Sequence, residues 1–267
     1  MILASHGLIA SHIASFDADA AAFFARVTDA GGTLSATEKI ATNQLVLDLK
    51  ANSLWTPMKA IYPMVGASAA ACAQNLKSSS FTGTFTSGWT FASTGVTGNG
   101  TSAYMDTNFN QNLLSSSNGE IGVYSRTDSR GSFTDIGVYV GGGVDFCLFP
   151  YIGLTNSPYG RAATQLDINI PAYNPITSLG LFSINTDAPN TQKFYRNGIL
   201  RGTTTQLSMS ISSTNITLSA ANTNSTPSFY SARQLALAYI SDALNATQAS
   251  NFYTAVQAFQ TTLSRQV

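Results

Sequence analysis

Hydrophobic residues near the start of the chain follow a helical period. Between residues 16 and 30 they recur every three or four positions from Phe16 to Val27, which places them on one face of a helix. The glycine pair at 31–32 ends this pattern, as glycine commonly does at helix C-termini. The pattern therefore predicts a first helix over residues 16–30.

A second helix is predicted over residues 36–51. Ser35 and Glu38 have the spacing of a capping box, in which each side chain satisfies a backbone N–H of the other residue. Three apolar residues share one face of this helix: Ile40, Leu47 and Leu54. We expect the two helices to form a hairpin that buries its aromatic face on the chain that follows.

From about residue 59 the helical period disappears. Short apolar or alternating runs are separated by Gly, Asn, Ser, Thr and Pro, which is typical of the strands of a two-sheet sandwich. Nine runs predict strands: 59–65, 102–107, 121–126, 134–140, 145–152, 178–185, 193–196, 216–220 and 233–240. Asn197 and Gly198 predict a two-residue hairpin turn, because both turn positions need positive φ.

The end of the chain returns to a helical pattern over residues 245–263. Asn245 and Gln248 form a second capping-box pattern ahead of spaced apolar residues. The full pattern predicts four parts: an N-terminal arm at 1–15, a helical hairpin at 16–57, a β-sandwich at 58–244 and a C-terminal helix at 245–267 packed on the sandwich.

Charge is sparse along the chain. Charged residues make up 10% of it, against about 25% in a typical soluble domain, and the 13 basic and 13 acidic residues cancel. The chain therefore lacks the clustered Lys and Arg that bind nucleic acid or anionic membranes, and we expect neither as a partner. Little net-charge repulsion favours association, which suits a subunit of a larger assembly.

No apolar run approaches the ~18 residues of a membrane span, and no basic stretch precedes the N-terminal apolar residues. We therefore expect no targeting signal. Cys72 and Cys147 are interpreted as two separate thiols, although a single bridge between them stays open.

Four stretches resemble concanavalin A-like, laminin G-like modules. Residues 61–66 (IYPMVG) are similar to their opening aromatic-Pro-x-x-Gly strand, and residues 100–106 (GTSAYMD) to their G-T/S-x-x-Y strand. Residues 194–200 (FYRNGIL) resemble their Y-x-N-G hairpin, and residues 236–248 their closing strand and short helix. The matches occur in family order. The resemblance implies a mainly β, two-sheet antiparallel jelly-roll sandwich.

A narrower resemblance concerns the ends of the chain. The N-terminal helix pair, followed by residues 54–63 and 75–77, and the ending at 251–260 are similar to an arrangement in tailed-bacteriophage structural proteins. There the sandwich is a head-decoration, head-fibre or tail component. The resemblance implies a virion protein made in the host cytoplasm. Its expected partners are other virion proteins and further copies of itself in a homo-oligomer.

Catalysis is not expected, although concanavalin A-like folds include glycoside hydrolases. Those enzymes use two closely placed carboxylates. The chain has two glutamates, of which Glu38 belongs to the capping box. Glu120 has no acidic neighbour at alternate strand positions and is interpreted as a solvated strand edge. We therefore expect neither enzyme activity nor a cofactor.

Metal-binding residues are also sparse. Asp128 and Asp135 flank a glycine-containing loop and could together hold calcium or a sugar hydroxyl, but no dense acidic loop surrounds them. We interpret both as turn-forming residues. His6 and His12 lie in the arm without a neighbouring ligand, so no metal site is expected.

Glycan binding stays open as an alternative to a purely structural role. Sugar sites combine an aromatic ring that stacks on the sugar with polar groups that bond its hydroxyls. The candidates are Trp89, Tyr139, Tyr151, Asn156, Tyr159 and Arg161. The same rings could instead fill the core or a subunit interface. The alternative function is a receptor module on the virion surface that binds a host glycan.

Overall fold

The computed structural model describes residues 15–141, 144–152, 157–164, 168, 170, 177–205 and 210–267. The α-helices within this part of the chain are α1 (Ala18–Asp29), α2 (Ala36–Ala51), α3 (Ala69–Cys72) and α4 (Ala246–Thr262), and one 3₁₀ turn spans Gln111–Leu113. The first eight strands are β1 (Met58–Tyr62), β2 (Thr84–Phe85), β3 (Trp89–Ala92), β4 (Gly95–Gly98), β5 (Met105–Asn110), β6 (Gly119–Ser125), β7 (Ile136–Val138) and β8 (Phe146–Ile152). The other eight are β9 (Ser157–Ala162), β10 (Gly180–Ala188), β11 (Thr191–Arg196), β12 (Ile199–Thr205), β13 (Asn215–Leu218), β14 (Ala221–Thr223), β15 (Thr226–Ser228) and β16 (Gln234–Ser241).

The strands form two sheets of eight. The first sheet has the order β12-β11-β10-β6-β16-β4-β3, and β1 pairs with the edge of β16 that also holds β4. The second sheet runs β9-β8-β7-β13-β5-β2, and the β14–β15 hairpin continues from β13 along β7. All pairs are antiparallel except one parallel bridge between Asn222 of β14 and Val138 of β7.

Two apolar cores separate three layers. The core between the sheets takes alternate residues of their central strands, such as Ile121, Phe182 and Leu148. The opposite face of the first sheet packs on the helices, where Leu237 belongs to the same cluster as Phe252 of α4. No described helix covers the outer face of the second sheet.

The predicted fold class is confirmed. Each of the nine predicted strands overlaps an observed one, and helices flank the sandwich at both ends. Both capping boxes form, Ser35 with Glu38 and Asn245 with Gln248. Asn197 and Gly198 turn the β11–β12 hairpin with φ of 51° and 71°. The four-part division of the chain stays a prediction, and residues 1–14 of its arm, with both histidines, lie outside the described residues.

The face assigned to α2 differs from the sequence pattern. Ile40 and Leu47 are 58% and 41% exposed, and Leu54, beyond the helix end, is buried. The buried face carries Ala41, Leu45 and Leu49 instead. Ile40 and Leu47 do share a face, because seven residues complete nearly two helical turns, but that face lies opposite the buried one.

Candidate functional site

The outer face of the second sheet collects every second residue of its strands. In β8, Phe146 and Leu148 point into the core, so Cys147 and Phe149 point outward. Cross-strand partners in an antiparallel pair share a face. Tyr159 therefore lies beside Phe149, and Arg161 lies beside Cys147.

Four rings form an aromatic cluster on this face: Tyr139, Phe149, Tyr159 and Phe229. Phe149 is the buried base of the cluster, with its ring centroid 5.0 Å from that of Tyr159 and 5.9 Å from that of Phe229. The Tyr139 ring lies edge-on to Phe229 at 5.5 Å. Phe229 is 42% exposed, and both tyrosines are partly exposed. Clustered rings at a surface are typical of a binding site.

Arg161 braces the cluster. Its guanidinium carbon lies 4.9 Å from the ring centroid of Tyr139 and 5.7 Å from that of Tyr159. Its Nη1 lies 2.6 Å from Oδ2 of Asp145, a buried carboxylate that also accepts hydrogen bonds from the backbone N–H groups of Val140 and Gly141. The Asp145 charge therefore balances that of Arg161 and fixes its position against the rings.

A polar pocket of about 440 Å³ lies on the same face, between β5, β13 and the β14–β15 hairpin. Its lining includes an aromatic ring, a carboxylate, amides and hydroxyls, from Tyr104, Asp106, Ser213, Asn215, Asn222, Asn224 and Ser225. Such a set offers both donors and acceptors of hydrogen bonds.

Local contacts hold the pocket in shape. Asp106 Oδ1 accepts from the Asn108 N–H at 2.7 Å, and the Asn215 amide donates to both carboxylate oxygens at 3.2 and 3.3 Å. At the rim, Asn224 and Ser225 have φ of 49° and 68°. A two-residue hairpin turn requires positive φ at both positions, which fixes where these two side chains stand.

The pocket and the aromatic cluster adjoin one another. The Tyr139 N–H donates to the Asn222 carbonyl at 3.0 Å, and Asn222 lines the pocket. Pro227, also in the pocket wall, precedes Phe229 by two residues. We use the name outer-face site for the cluster and the pocket together.

Comparison with solved structures finds similar architectures in domains of other proteins. Domain 4 of an extracellular arabinanase from Geobacillus stearothermophilus, solved with arabinotriose, matches with a TM-score of 0.54 and 15% identity over 73% of this chain and 97% of that domain. The CBM40 of the Ruminococcus gnavus IT-sialidase matches with a TM-score of 0.39 and 15% identity over 52% of this chain and 83% of that chain. The binding domain of Paraclostridial Mosquitocidal Protein 1 matches with a TM-score of 0.43 and 12% identity over 67% and 48% of the two chains.

The fold is that of a lectin-like, jelly-roll β-sandwich. No protein-family model matches the chain, and no curated protein matches its sequence.

Three of the six residues predicted for glycan contact come together in this lectin-like sandwich: Tyr139, Tyr159 and Arg161. Trp89 does not join them. It lies in β3 of the first sheet, where its ring contacts Phe85 and its indole N–H donates to the Tyr104 carbonyl at 3.3 Å. Asn156 and the side chain of Tyr151 lie outside the described residues.

Other residues of the outer-face site were absent from the sequence prediction. Tyr104 and Asp106 belong to the GTSAYMD stretch, whose family resemblance bears on the fold alone. Asn215 meets Asp106 through a strand pairing across 109 residues, which no local pattern reveals. Phe229 follows a short strand of ordinary turn-forming residues and carries no local signal.

The interpretation of Glu120 as a solvated strand edge is wrong. Glu120 is 0% exposed in the central strand β6, between the first sheet and the helices. It accepts hydrogen bonds from Tyr239, Asn185 and the Leu244 N–H. Burial raises the pKa of Glu120 above its ordinary value. A carboxylate enclosed in this way does not reach a bound sugar.

The interpretation of Asp135 as a turn-forming residue is also wrong. It is buried, and its Oδ1 lies 3.1 Å from Nη1 of the equally buried Arg233. Arg233 further donates to the carbonyl of Ser129 at 2.8 Å, so the pair connects the 128–135 loop to the residue that precedes β16. Asp128 accepts from the Ser178 N–H at 2.9 Å.

Within the described part of the chain, no group of three or more His, Cys, Asp or Glu residues is arranged to hold a metal ion, and no helix is long and apolar enough to cross a membrane. Cys72 and Cys147 are both buried and form no disulfide.

Proposed function

We propose that this chain is a non-catalytic carbohydrate-binding module that uses the outer-face site. The observation that carries the proposal is the adjacency of the exposed Phe229–Tyr139 ring pair to a pocket that offers Asp106, Asn215 and Asn224. Sugars present apolar C–H faces and polar hydroxyl edges, and this site offers surfaces for both.

The position of the site supports the proposal. The helices cover the first sheet, and the second sheet holds a concave, polar-lined pocket beside the aromatic cluster. The arabinanase domain that shares the fold was solved with arabinotriose. Oligosaccharide binding by this chain is therefore consistent with its architecture.

The charges of the site favour binding over hydrolysis. A glycosidase needs a pair of carboxyl groups about 5 to 9.5 Å apart that both reach the substrate. Among the described lining residues of the pocket, Asp106 supplies the one carboxylate. Asp145 is buried against Arg161, and Glu120 is enclosed on the far side of the first sheet.

A glycan array probed with the purified chain tests the proposal, followed by calorimetry with any sugar that binds. Phe229→Ala is expected to weaken binding by at least tenfold, because an exposed ring contributes apolar contact with little ordering cost. The matched control is Phe16→Ala, which removes a ring of equal 42% exposure on the helix side and should leave affinity unchanged. Absence of any bound glycan across the array would overturn the proposal.

A second candidate function is a structural subunit of a virus particle, as the phage resemblance implies. Ile40 and Leu47 favour it, because they expose an apolar stripe on α2 that a neighbouring protein could cover. The neutral, sparsely charged sequence also suits dense packing of copies. This second candidate function implies that the chain is made in the host cytoplasm, is located in a virion and contacts other virion proteins.

Mass spectrometry and cryo-electron microscopy of purified particles test this second candidate. The expected result is the chain at regular, symmetric positions with α2 against a neighbour. Particles that lack the chain altogether would contradict a virion role.

A further inference from the structure

Resting on the proposed function, we infer that the ligand is an uncharged oligosaccharide of at least two sugar units. One unit occupies the polar pocket, where the Asp106 carboxylate accepts hydrogen bonds from its hydroxyl groups. The next unit stacks on the aromatic cluster at Tyr139 and Phe229. Three properties of the site support this assignment: the charges of its two parts, their hydrogen-bonding capacity and their separation.

The pocket carries the negative charge of Asp106. The described partners of the Asp106 carboxylate are the Asn108 N–H and the Asn215 amide, both of which are neutral donors. None of the described residues that line the pocket is basic. A sugar with a carboxylate or sulfate would meet repulsion here, whereas the hydroxyls of a neutral sugar would meet an acceptor.

The aromatic cluster offers no net positive charge to offset this repulsion. Arg161 is the cation of the cluster, and its 2.6 Å contact with the fully buried Asp145 makes the pair neutral. The guanidinium also lies over the Tyr139 ring at 4.9 Å. Its geometry makes Arg161 a positioning residue for the rings rather than a receptor for an acidic sugar.

The pocket has hydrogen-bonding capacity left for a ligand. A carboxylate offers about four lone-pair positions. The described contact to Asp106 Oδ2 is a single long bond from Asn215, at 3.3 Å. At the rim, Asn224 adds an amide that both donates and accepts, and Ser225 adds a hydroxyl. A polyhydroxyl ligand uses acceptors and donors side by side in this way.

The spacing of the two parts exceeds a single sugar. Asp106 lies on β5, and Tyr139 follows β7, with β13 between these strands. Two strand spacings amount to about 10 Å. Because the pocket and cluster adjoin at Asn222 and Tyr139, a chain of two or more units can run across the sheet without a gap.

The test combines a glycan array with calorimetry on the full chain. The array contains neutral mono- and oligosaccharides, arabinotriose among them, together with sialylated and uronic-acid-containing oligosaccharides. The expected hits are neutral, and each trisaccharide should bind at least tenfold more tightly than its constituent monosaccharide. Asp106→Asn should weaken binding at least tenfold, whereas Asp48→Asn, on the helix side, should not change it.

A second variant tests the same pocket independently, in case Asp106→Asn does not fold. Asn224→Gly removes the rim amide while suiting the positive φ of 49° at this turn position, so the hairpin should keep its fold. Its affinity for the same trisaccharide should fall at least threefold with an unchanged melting temperature.

The possible results distinguish a failure of the inference about the ligand from a failure of the proposed carbohydrate binding. Binding of acidic glycans alone, or equal affinity for mono- and trisaccharide, would overturn the inference and leave carbohydrate binding in place. An unchanged affinity in both Asp106→Asn and Asn224→Gly would also overturn it. No binding to any sugar would overturn the proposed function itself.

Discussion

The phenol of Tyr239 donates a 2.5 Å hydrogen bond to Oε1 of Glu120, between the two central strands of the first sheet. Gly122 makes this contact possible, because a Cβ at that position would lie 2.3 Å from the Tyr239 ring. The Asn185 amide and the Leu244 N–H each donate a 2.9 Å hydrogen bond to the other carboxylate oxygen, Oε2. One buried acid thus connects β6, β10, β16 and the chain just before α4.

This arrangement predicts a specific pH dependence of stability. Because burial raises the pKa of Glu120 in the folded chain, the folded state holds the proton more tightly than the unfolded state. The contribution of Glu120 to stability is then greatest below the ordinary pKa of 4.5 and falls as pH rises toward the raised pKa, by up to about 1.4 kcal/mol per pH unit. Glu120→Gln should remove this slope, so its stability deficit should shrink as pH rises.

Urea unfolding at a series of pH values from 4.5 to 8 measures this difference, with Glu38→Gln as the control at the other glutamate. A Glu120→Gln deficit that grows with pH would contradict the assignment.

Alanine substitutions at two glycines distinguish the cost of backbone strain from the cost of a packing clash. Gly31 has φ of 81° and open space around a hypothetical Cβ, so Gly31→Ala should cost about 1–2 kcal/mol from conformation alone. Gly198 has φ of 71°, and its Cβ would lie 2.8 Å from the Ser250 Cα on α4. Gly198→Ala should therefore cost about 1–3 kcal/mol more. Equal losses in chemical denaturation would show that the hairpin does not pack on α4 as described.

The buried ion pair predicts an asymmetric response to mutation. Arg233→Met leaves the Asp135 carboxylate buried without its charge partner and should cost about 3–5 kcal/mol. Adding Asp135→Asn should recover part of this loss. The control Lys193→Met breaks a partly exposed pair with Asp187 and should cost about 1 kcal/mol or less. Thermal and urea unfolding of the four proteins would contradict the prediction if the double variant were the least stable.

The cap of α4 predicts a smaller effect. Asn245 accepts from the Gln248 N–H at 3.0 Å, and the Gln248 side chain accepts from the Asn245 N–H at 3.0 Å. Asn245→Ala should cost about 1 kcal/mol, whereas Thr247→Ala, exposed in the same turn, should stay within about 0.5 kcal/mol. Calorimetric melting temperatures distinguish the two, and similar values would speak against a capping role.

The sequence was sufficient for elements whose signals are local. Capping boxes, the Asn-Gly turn and the alternating strands each depend on neighbours within a few residues. It was insufficient where a third layer alters burial. Glu120 was expected at a solvated edge because nothing local shows that helices cover its face of β6. The short strands β2, β14 and β15 were not predicted, because they are rich in Thr, Ser and Asn and resemble turns.

The outer-face site was predictable only in part. Tyr139, Tyr159 and Arg161 lie near one another in sequence on either side of β8, so their residue types sufficed to single them out. Asp106 and Asn215 meet through pairing of β5 with β13, which depends on the register of the whole sheet. A contact of this separation needs tertiary information.

The layer order gives the molecule a back and a front. The helices occupy the back, with Ile40 and Leu47 of α2 pointing away from both sheets, and the rings and pocket occupy the front. If the protein were immobilised on a sensor chip or carrier through α2, every copy would present its aromatic cluster to the solution. An array of copies immobilised through their helices would bind one polymer at many points. Multivalent binding of this kind gives a high overall affinity even where each single site binds weakly.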